Sequence, residues 1–189
     1  MTSNSFNALE LPALDPLPEA TQKYFDICQE KLGMVPNVLQ SYAFNIEKLN
    51  AFTAMYNDIM LADSGLTKLE REMIAVVVSS LNKCYYCLTA HGAAVRQLSG
   101  DPQLGEKLVM NWRFADLEPR VWAMLEFAEN LTLASAKTSE SDRQSLRDVG
   151  FSDADIFDIV SVTGFFNMTN RVASGIAMRP NDEYHSQNR

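Results

Sequence analysis

The sequence predicts an all-α protein that folds as one domain. Signals that start helices recur along the chain, apolar residues return at helical spacing, and we find no strong strand or internal repeat. The 189 residues match one domain and can bury a sizeable core. We expect a helical domain over residues 18–179, with an extended arm at residues 1–17 and a polar tail at residues 180–189.

Signals at helix ends divide this domain into eight or nine helices. Thr67, Ser139 and Ser152 each precede an acidic residue by three positions, which is the pattern of a capping box. Pro119 suits the first turn of a helix, and Gly33 suits the left-handed position after one. The expected helices span residues 19–32, 37–43, 46–61, 68–81, 84–98, 102–109, 119–134, 139–150 and 152–178.

The last of these helices is apolar over more than one face. Such a helix is usually buried, so we expect it to be the central helix of the domain or part of a subunit interface. Asn167, Asn170 and Arg171 interrupt its apolar pattern. They are expected either to make structural hydrogen bonds or to place a polar group against the site or a neighbouring subunit.

Composition restricts the class of protein. Lys and Arg number 16 while Asp and Glu number 24, so the net charge is −8 and a basic footprint for nucleic acid is absent. The first residues lack the pattern of a signal peptide, and no apolar stretch reaches the roughly 20 residues of a membrane helix. We therefore expect a cytoplasmic protein. In a reducing compartment, a CxxC pair is more often catalytic or metal-binding than a static disulfide.

Residues with reactive side chains are concentrated in the middle of the chain, where Glu72 is followed by Cys84, Cys87 and His91. If the last three share one helix, steps of three and four residues place both thiols and the imidazole on a common face. The cysteines start that helix, where unpaired N–H groups and the nearby Lys83 favour the thiolate. The thiolate is the reactive form, so this placement indicates chemistry at sulfur.

These four side chains supply the parts of a thiol redox site. His91 is one turn after Cys87 and can accept its proton, directly or through a water. If the two helices pack antiparallel, the Glu72 carboxylate can reach His91 and orient the imidazole. Such a set suits attack by one sulfur on a peroxide O–O bond, followed by condensation of the sulfenic acid with the second thiol to a disulfide.

The residues alone leave the attacking sulfur open. Cys84 is nearer the helix end, where the attacking thiol of thioredoxin-like pairs lies, and we expect it to be the more exposed of the two. Proximity to His91 favours Cys87 instead. Cys84 would then exchange with an external reductant.

The same residues also allow other functions. Two cysteines, a histidine and a glutamate form a zinc-type ligand set, although one helix would have to present three of them to one ion. A disulfide oxidoreductase or redox sensor acting on a protein partner would use the same CxxC pair, and the plainest alternative is a pair of inert buried cysteines. Cys28 is expected to be buried as a small apolar residue, and His185 to be a solvated bystander in the tail.

The spacing Glu72-x11-Cys84-x2-Cys87-x3-His91 resembles the active-site pattern of the alkylhydroperoxidase D family, within the carboxymuconolactone decarboxylase-like superfamily. Residues 30–100 are similar to the peroxidase-related branch of that family, and the last helix is a weaker match. The resemblance implies the all-α fold of that family and a homo-oligomer built as a trimer, hexamer or dimer. It also implies reduction of a small hydroperoxide through the CxxC pair, with an external thiol or dithiol as reductant and with no metal or cofactor.

The resemblance further implies a role for each site residue. Cys87 corresponds to the cysteine that attacks the peroxide, Cys84 to the resolving cysteine, and Glu72 and His91 to the proton relay. The superfamily also includes a lactone decarboxylase that is not marked by this CxxC pair, and that activity is a further alternative.

Overall fold

The computed structural model describes residues 6–189, and these contain ten α-helices and no strand, which confirms the predicted all-α class. Residues 1–5 of the expected arm lie outside the described residues. Within residues 6–189, the helices fall short of the length and apolarity needed to cross a bilayer. The helices are α1 (Glu19–Leu32), α2 (Asn37–Tyr42), α3 (Ile46–Tyr56), α4 (Lys68–Leu81), α5 (Tyr85–Ser99), α6 (Leu104–Asn111), α7 (Pro119–Ala134), α8 (Glu140–Asp148), α9 (Asp153–Gly175) and α10 (Glu183–Ser186).

Local signals account for several helix ends. Thr67, Ser139 and Ser152 form the three predicted capping boxes at the starts of α4, α8 and α9. Gly33 adopts the left-handed conformation after α1, with φ of 75°. Helix α3 ends earlier than predicted, because the chain continues over Asn57–Leu61 as a wider π-helical turn.

Helix α4 is the centre of the fold. It packs against α5, α6, α7 and α9, and its residues 70–79 are all buried. The valine-rich run at residues 76–78 has strand propensity, but it remains helical because the capping box starts the helix and apolar side chains surround it. The side chains that α4 turns toward α5 and α9 form the floor of the site described below.

Helix α9 has a packed face and an exposed apolar face. Ile159 and Val162 are completely buried, as expected for a core helix. Phe157 is 71% exposed and Met168 is 44% exposed on the other side. Helix α4 is therefore the central helix of the domain, and α9 is a core helix whose other side stays exposed, which leaves the subunit-interface alternative as a prediction.

Both ends of the described chain pack on the domain. Backbone hydrogen bonds from Ala8 to Ile176 and from Arg179 to Phe6 join the N-terminal arm to the chain after α9, at 2.8 and 2.9 Å. In the segment expected to be a polar tail, Glu183–Ser186 forms a helical turn against α5. The C-terminal segment is thus a packed part of the domain.

Candidate active site

Glu72 and His91 form a buried carboxylate–imidazole pair. A three-residue turn joins α4 to α5, so the two helices pack antiparallel and bring these residues together. Glu72 Oε2 lies 2.6 Å from His91 Nδ1, and the side chains are 10% and 14% exposed. The Phe166 ring contacts the imidazole edge to face. A carboxylate only accepts, so Nδ1 donates to Glu72 and Nε2 is left for another partner.

The two thiols lie where α5 begins. Lys83 adopts a left-handed conformation with φ of 56°, which turns the chain so that Cys84 becomes the residue that caps α5. Cys87 follows in the first turn, and both are free thiols. They are 1% and 4% exposed, because the start of α5 packs against Ala173 near the end of α9 and against Met178 just after it. The expectation that Cys84 is the more exposed thiol is therefore wrong.

A hydrogen bond between the thiols shifts their pKa values in opposite directions. The Cys87 thiol donates to the Cys84 sulfur, which lowers the pKa of Cys84 to about 6 despite its burial. The backbone N–H of Cys87, the Ser174 hydroxyl and the charge of His91 act in the same direction. The pKa of Cys87 is raised, because Cys84 holds its proton, because it is buried and because a charge on Cys84 repels a second one. These opposite shifts favour a thiolate on Cys84 and a retained proton on Cys87.

Two buried polar side chains from neighbouring helices also contact Cys87. They are Ser79 on α4 and Asn170 on α9, and both favour the Cys87 thiolate. Asn170 Nδ2 donates to Ser79 Oγ at 2.9 Å. Asn170 is thus the polar α9 residue that faces the site. Ser79 was not predicted, although it follows Glu72 by seven residues and so shares its face of α4.

The imidazole and the thiols are neighbours without being directly bonded. Across residues 6–189, the hydrogen bond of the His91 ring is the one to Glu72. His91 influences Cys84 through its charge. A water or a reacting molecule must therefore bridge His91 and the sulfurs for a proton to pass between them.

The C-terminal segment brings a further side chain to the carboxylate–imidazole pair. The Arg96 guanidinium, which is 5% exposed, donates to the backbone oxygens of Tyr184 and Gln187 at 3.0 to 3.1 Å. The Tyr184 phenol is hydrogen-bonded to the Tyr86 phenol. Its burial, together with the nearby Glu72 charge, raises the pKa of Tyr184 to about 12.

His185 is held in the same segment. Its Nε2 atom lies 3.2 Å from the Tyr85 hydroxyl on α5, and the two rings are tilted against each other. The residue is exposed, as predicted, but it helps to attach the C-terminal segment to α5. That His185 takes no part in the site stays a prediction.

The predicted zinc-type ligands do not converge. In the part of the chain that the structure describes, no three His, Cys, Asp or Glu side chains are grouped to hold a metal ion. Glu72 is hydrogen-bonded to His91, and the Cys84 and Cys87 thiols are hydrogen-bonded to each other. The four side chains are thus arranged as two pairs, and this geometry gives the zinc alternative no support.

The model of the carboxymuconolactone decarboxylase family matches residues 47–130, which contain all four predicted site residues. The crystal structure of an uncharacterized peroxidase-related protein from Silicibacter sp. TM1040 is 70% identical, with 100% of this chain and 99% of that chain covered and a TM-score of 0.97. A structure described as an alkylhydroperoxidase AhpD core, a peroxidase-related protein from Ralstonia eutropha JMP134, is 40% identical, with 99% and 98% covered and a TM-score of 0.94.

The fold also extends to an enzyme with another activity. The apo structure of the debrominase Bmp8 is 17% identical, with 97% of this chain and 98% of that chain covered and a TM-score of 0.79. The activities found on this fold therefore vary. Given its identity with the two peroxidase-related proteins over nearly their whole length, this chain belongs to the AhpD-like, peroxidase-related branch of the carboxymuconolactone decarboxylase family.

Proposed function

We propose that the protein is an oxidoreductase that reduces hydroperoxides with the Cys84–Cys87 dithiol. The observation that carries this proposal is a pair of buried free thiols at the start of α5 beside a Glu72–His91 pair whose Oε2 and Nδ1 atoms lie 2.6 Å apart. The lowered thiol pKa supplies a nucleophile at neutral pH, and the imidazole supplies a proton acceptor and donor. The peroxidase-related names of the two most similar structures described above support the same class of reaction.

The proposed reaction has two steps at sulfur. A thiolate attacks one peroxide oxygen, so that an S–O bond forms, the O–O bond breaks, and an alcohol or water leaves with a proton supplied through His91. The second thiol then loses its proton and attacks the sulfenic sulfur, so that the S–S bond forms and hydroxide leaves as water. The peroxide gains two electrons, and Cys84 and Cys87 become a disulfide. An external thiol or dithiol returns the pair to its reduced form.

Two arguments disagree about which sulfur attacks the peroxide first. The family resemblance assigns the attack to Cys87, whereas the hydrogen bond between the thiols leaves the resting thiolate on Cys84. Single Cys→Ser substitutions separate these orders. Loss of the attacking cysteine abolishes the peroxide reaction, whereas loss of the resolving cysteine leaves a sulfenic acid that dimedone traps.

Burial of both sulfurs favours a small oxidant. A folded protein partner would have to bring its own disulfide to sulfur atoms that are 1% and 4% exposed. This ranks the protein-directed oxidoreductase and redox-sensor alternatives below the peroxidase. By the same reasoning the reductant is a small or flexible thiol or dithiol. A cytoplasmic location, where thiols stay reduced, suits this cycle.

The exposed face of α9 supports the predicted homo-oligomer. Phe157, Val160, Gly164 and Met168 follow one side of the helix and are all exposed. Apolar surface of this kind is typical of a contact between protein chains. Sedimentation equilibrium tests this, with a dimer, trimer or hexamer as the expected result and a monomer as the contrary one.

Rapid mixing of the reduced protein with hydrogen peroxide, and separately with an organic hydroperoxide, tests the proposed activity. We expect oxidation faster than that of free cysteine at the same pH. A rate equal to that of free cysteine contradicts the peroxidase. Fast exchange with protein disulfides, combined with such a slow peroxide rate, favours the alternative of a disulfide oxidoreductase that acts on a protein partner.

A further inference from the structure

Two fixed groups determine the orientation of three asparagine side chains beside the thiols. Arg171 can only donate, so its Nη1 requires Asn167 to present Oδ1, at 3.0 Å. The backbone oxygen of Thr163 can only accept, so it requires the Asn167 nitrogen, also at 3.0 Å. Asn82 must then direct Nδ2 at Asn167 Oδ1, and the same nitrogen donates to Asn170 Oδ1, at 3.1 and 3.0 Å. The nitrogen of Asn170 is therefore the end that faces the thiols.

Asn170 and Ser79 present two donors to Cys87. Asn170 Nδ2 gives one hydrogen to Ser79 Oγ at 2.9 Å and has a second for the Cys87 sulfur. Because Ser79 Oγ accepts that bond, its own hydrogen is free for the same sulfur. Ser79 is 0% exposed and Asn170 is 1% exposed. In such surroundings a donor stabilises a charged acceptor much more than a neutral one.

We propose that Ser79 and Asn170 hold negative charge on the Cys87 sulfur during turnover, and that Asn82 is a positioning residue that orients Asn170 for this task. The role in turnover rests on the proposed peroxidase function and deepens it. In either order of attack, Cys87 loses its proton once, to attack the peroxide or to attack the sulfenic sulfur of Cys84. The two donors promote that loss, which burial of Cys87 otherwise opposes.

Titration of the Cys87 thiol tests this inference without any peroxide. In a Cys28→Ala/Cys84→Ala background Cys87 is the remaining thiol, and the ultraviolet absorbance of its thiolate follows its ionisation. Ser79→Ala is expected to move the midpoint upward by about one pH unit, a roughly tenfold loss of thiolate at a given pH, because one hydrogen bond to charged sulfur is lost. Asn170→Asp has the same size but turns a charged acceptor toward the sulfur, so loss of the donor and repulsion by the carboxylate together are expected to give a larger shift.

The surroundings of Cys87 are otherwise constant in this series. The titratable groups near it, His91 and Tyr86 on α5 and Glu72 on α4, are the same in every variant except for the carboxylate that Asn170→Asp adds. Asn82→Ala keeps both donors but frees Asn170 to rotate, so its shift is expected to be smaller than that of Asn170→Asp.

Ser80→Ala is the matched control. It removes a hydroxyl from the same helix, one residue along, where the Ser80 side chain donates to the backbone oxygen of Val109 on α6. We expect its midpoint to equal that of the background protein. The inference is overturned if Ser79→Ala titrates like this control. A shifted midpoint in a protein that reacts with peroxide no faster than free cysteine instead overturns the peroxidase function, and with it the role in turnover.

Discussion

The two halves of the site are held in different ways. Cys84 and Cys87 are enclosed by α4, α5 and α9, and their polar partners come from those helices. The Glu72–His91 pair instead has the Tyr184 phenol of the C-terminal segment close by. Hydrogen bonds from Arg96 to backbone oxygens help to hold that segment on α5.

This difference separates the part of the site that determines sulfur reactivity from the part that can open. Displacing the partners of the thiols means separating α4 from α9, which are core helices. Releasing the C-terminal segment breaks far fewer contacts, and such segments open locally while the core stays folded. We therefore expect thiol acidity to be independent of the C-terminal segment, and access to the imidazole to depend on it.

Removal of either thiol is expected to have the largest effect. Cys84→Ser and Cys87→Ser each prevent disulfide formation; without an added reductant, the variant that lacks the attacking cysteine consumes peroxide on the order of a thousandfold more slowly, and the other stops after one equivalent as a sulfenic acid. Cys28→Ala is the control, because Cys28 is buried in a separate cluster with Phe25 and Leu39 and its loss leaves the activity intact. Full activity in either CxxC variant contradicts a dithiol mechanism.

Glu72→Gln is expected to have the next largest effect. The amide keeps the shape of the side chain but loses the charge that orients His91, so single-turnover oxidation slows roughly 10- to 100-fold. Glu140→Gln serves as the control, since Glu140 is an exposed partner of Arg143 and Arg147. An unchanged oxidation rate in Glu72→Gln shows that the pair takes no part in proton transfer.

The acidity of Cys84 is expected to depend on Cys87. With a pKa of about 6, the Cys84 thiolate fraction rises with pH through this value and levels off above it, and alkylation of Cys84 follows the same curve. Cys87→Ala removes the largest cause of the shift and moves the midpoint up toward the ordinary 9.0. Cys87→Ser keeps a hydroxyl donor and moves it less. A larger shift in the serine variant contradicts the shared hydrogen bond.

Arg96→Met is expected to have the smallest effect on chemistry and a local effect on structure. Loss of the bonds to Tyr184 and Gln187 lowers the free energy that holds the C-terminal segment by about 2 kcal/mol. Amide exchange over residues 183–187 then becomes faster, while the Cys84 titration stays the same. Arg143→Met, on the exposed side of α8, is the matched control. A shifted Cys84 titration midpoint in Arg96→Met contradicts the expectation that thiol acidity is independent of the C-terminal segment.

Features that depend on neighbouring residues in sequence were predictable. The capping box at Thr67 and the left-handed Gly33 are satisfied within a few residues, so the sequence contains their whole physical cause. The contact between Glu72 and His91 was also predictable, because a short turn between two helices requires them to pack antiparallel.

Features that depend on distant residues were not predictable. Ser79 and Asn170 are 91 positions apart and meet only because α4 packs on α9. Arg96 binds backbone oxygens, which every residue offers, so no side-chain pattern marks the C-terminal segment as packed. The turn that buries Cys84 requires a residue in the left-handed conformation, and a lysine such as Lys83 does not indicate that conformation in a sequence.

Oxidation of Cys84 and Cys87 to a disulfide by one hydroperoxide is the core of the proposed function. It is measured most directly by mixing reduced protein with less than one equivalent of hydrogen peroxide, blocking free thiols and mapping the disulfide by mass spectrometry. We expect one Cys84–Cys87 disulfide for each peroxide consumed, with Cys28 still free. Peroxide consumed without that disulfide, or no consumption beyond that of a free thiol, contradicts the proposal.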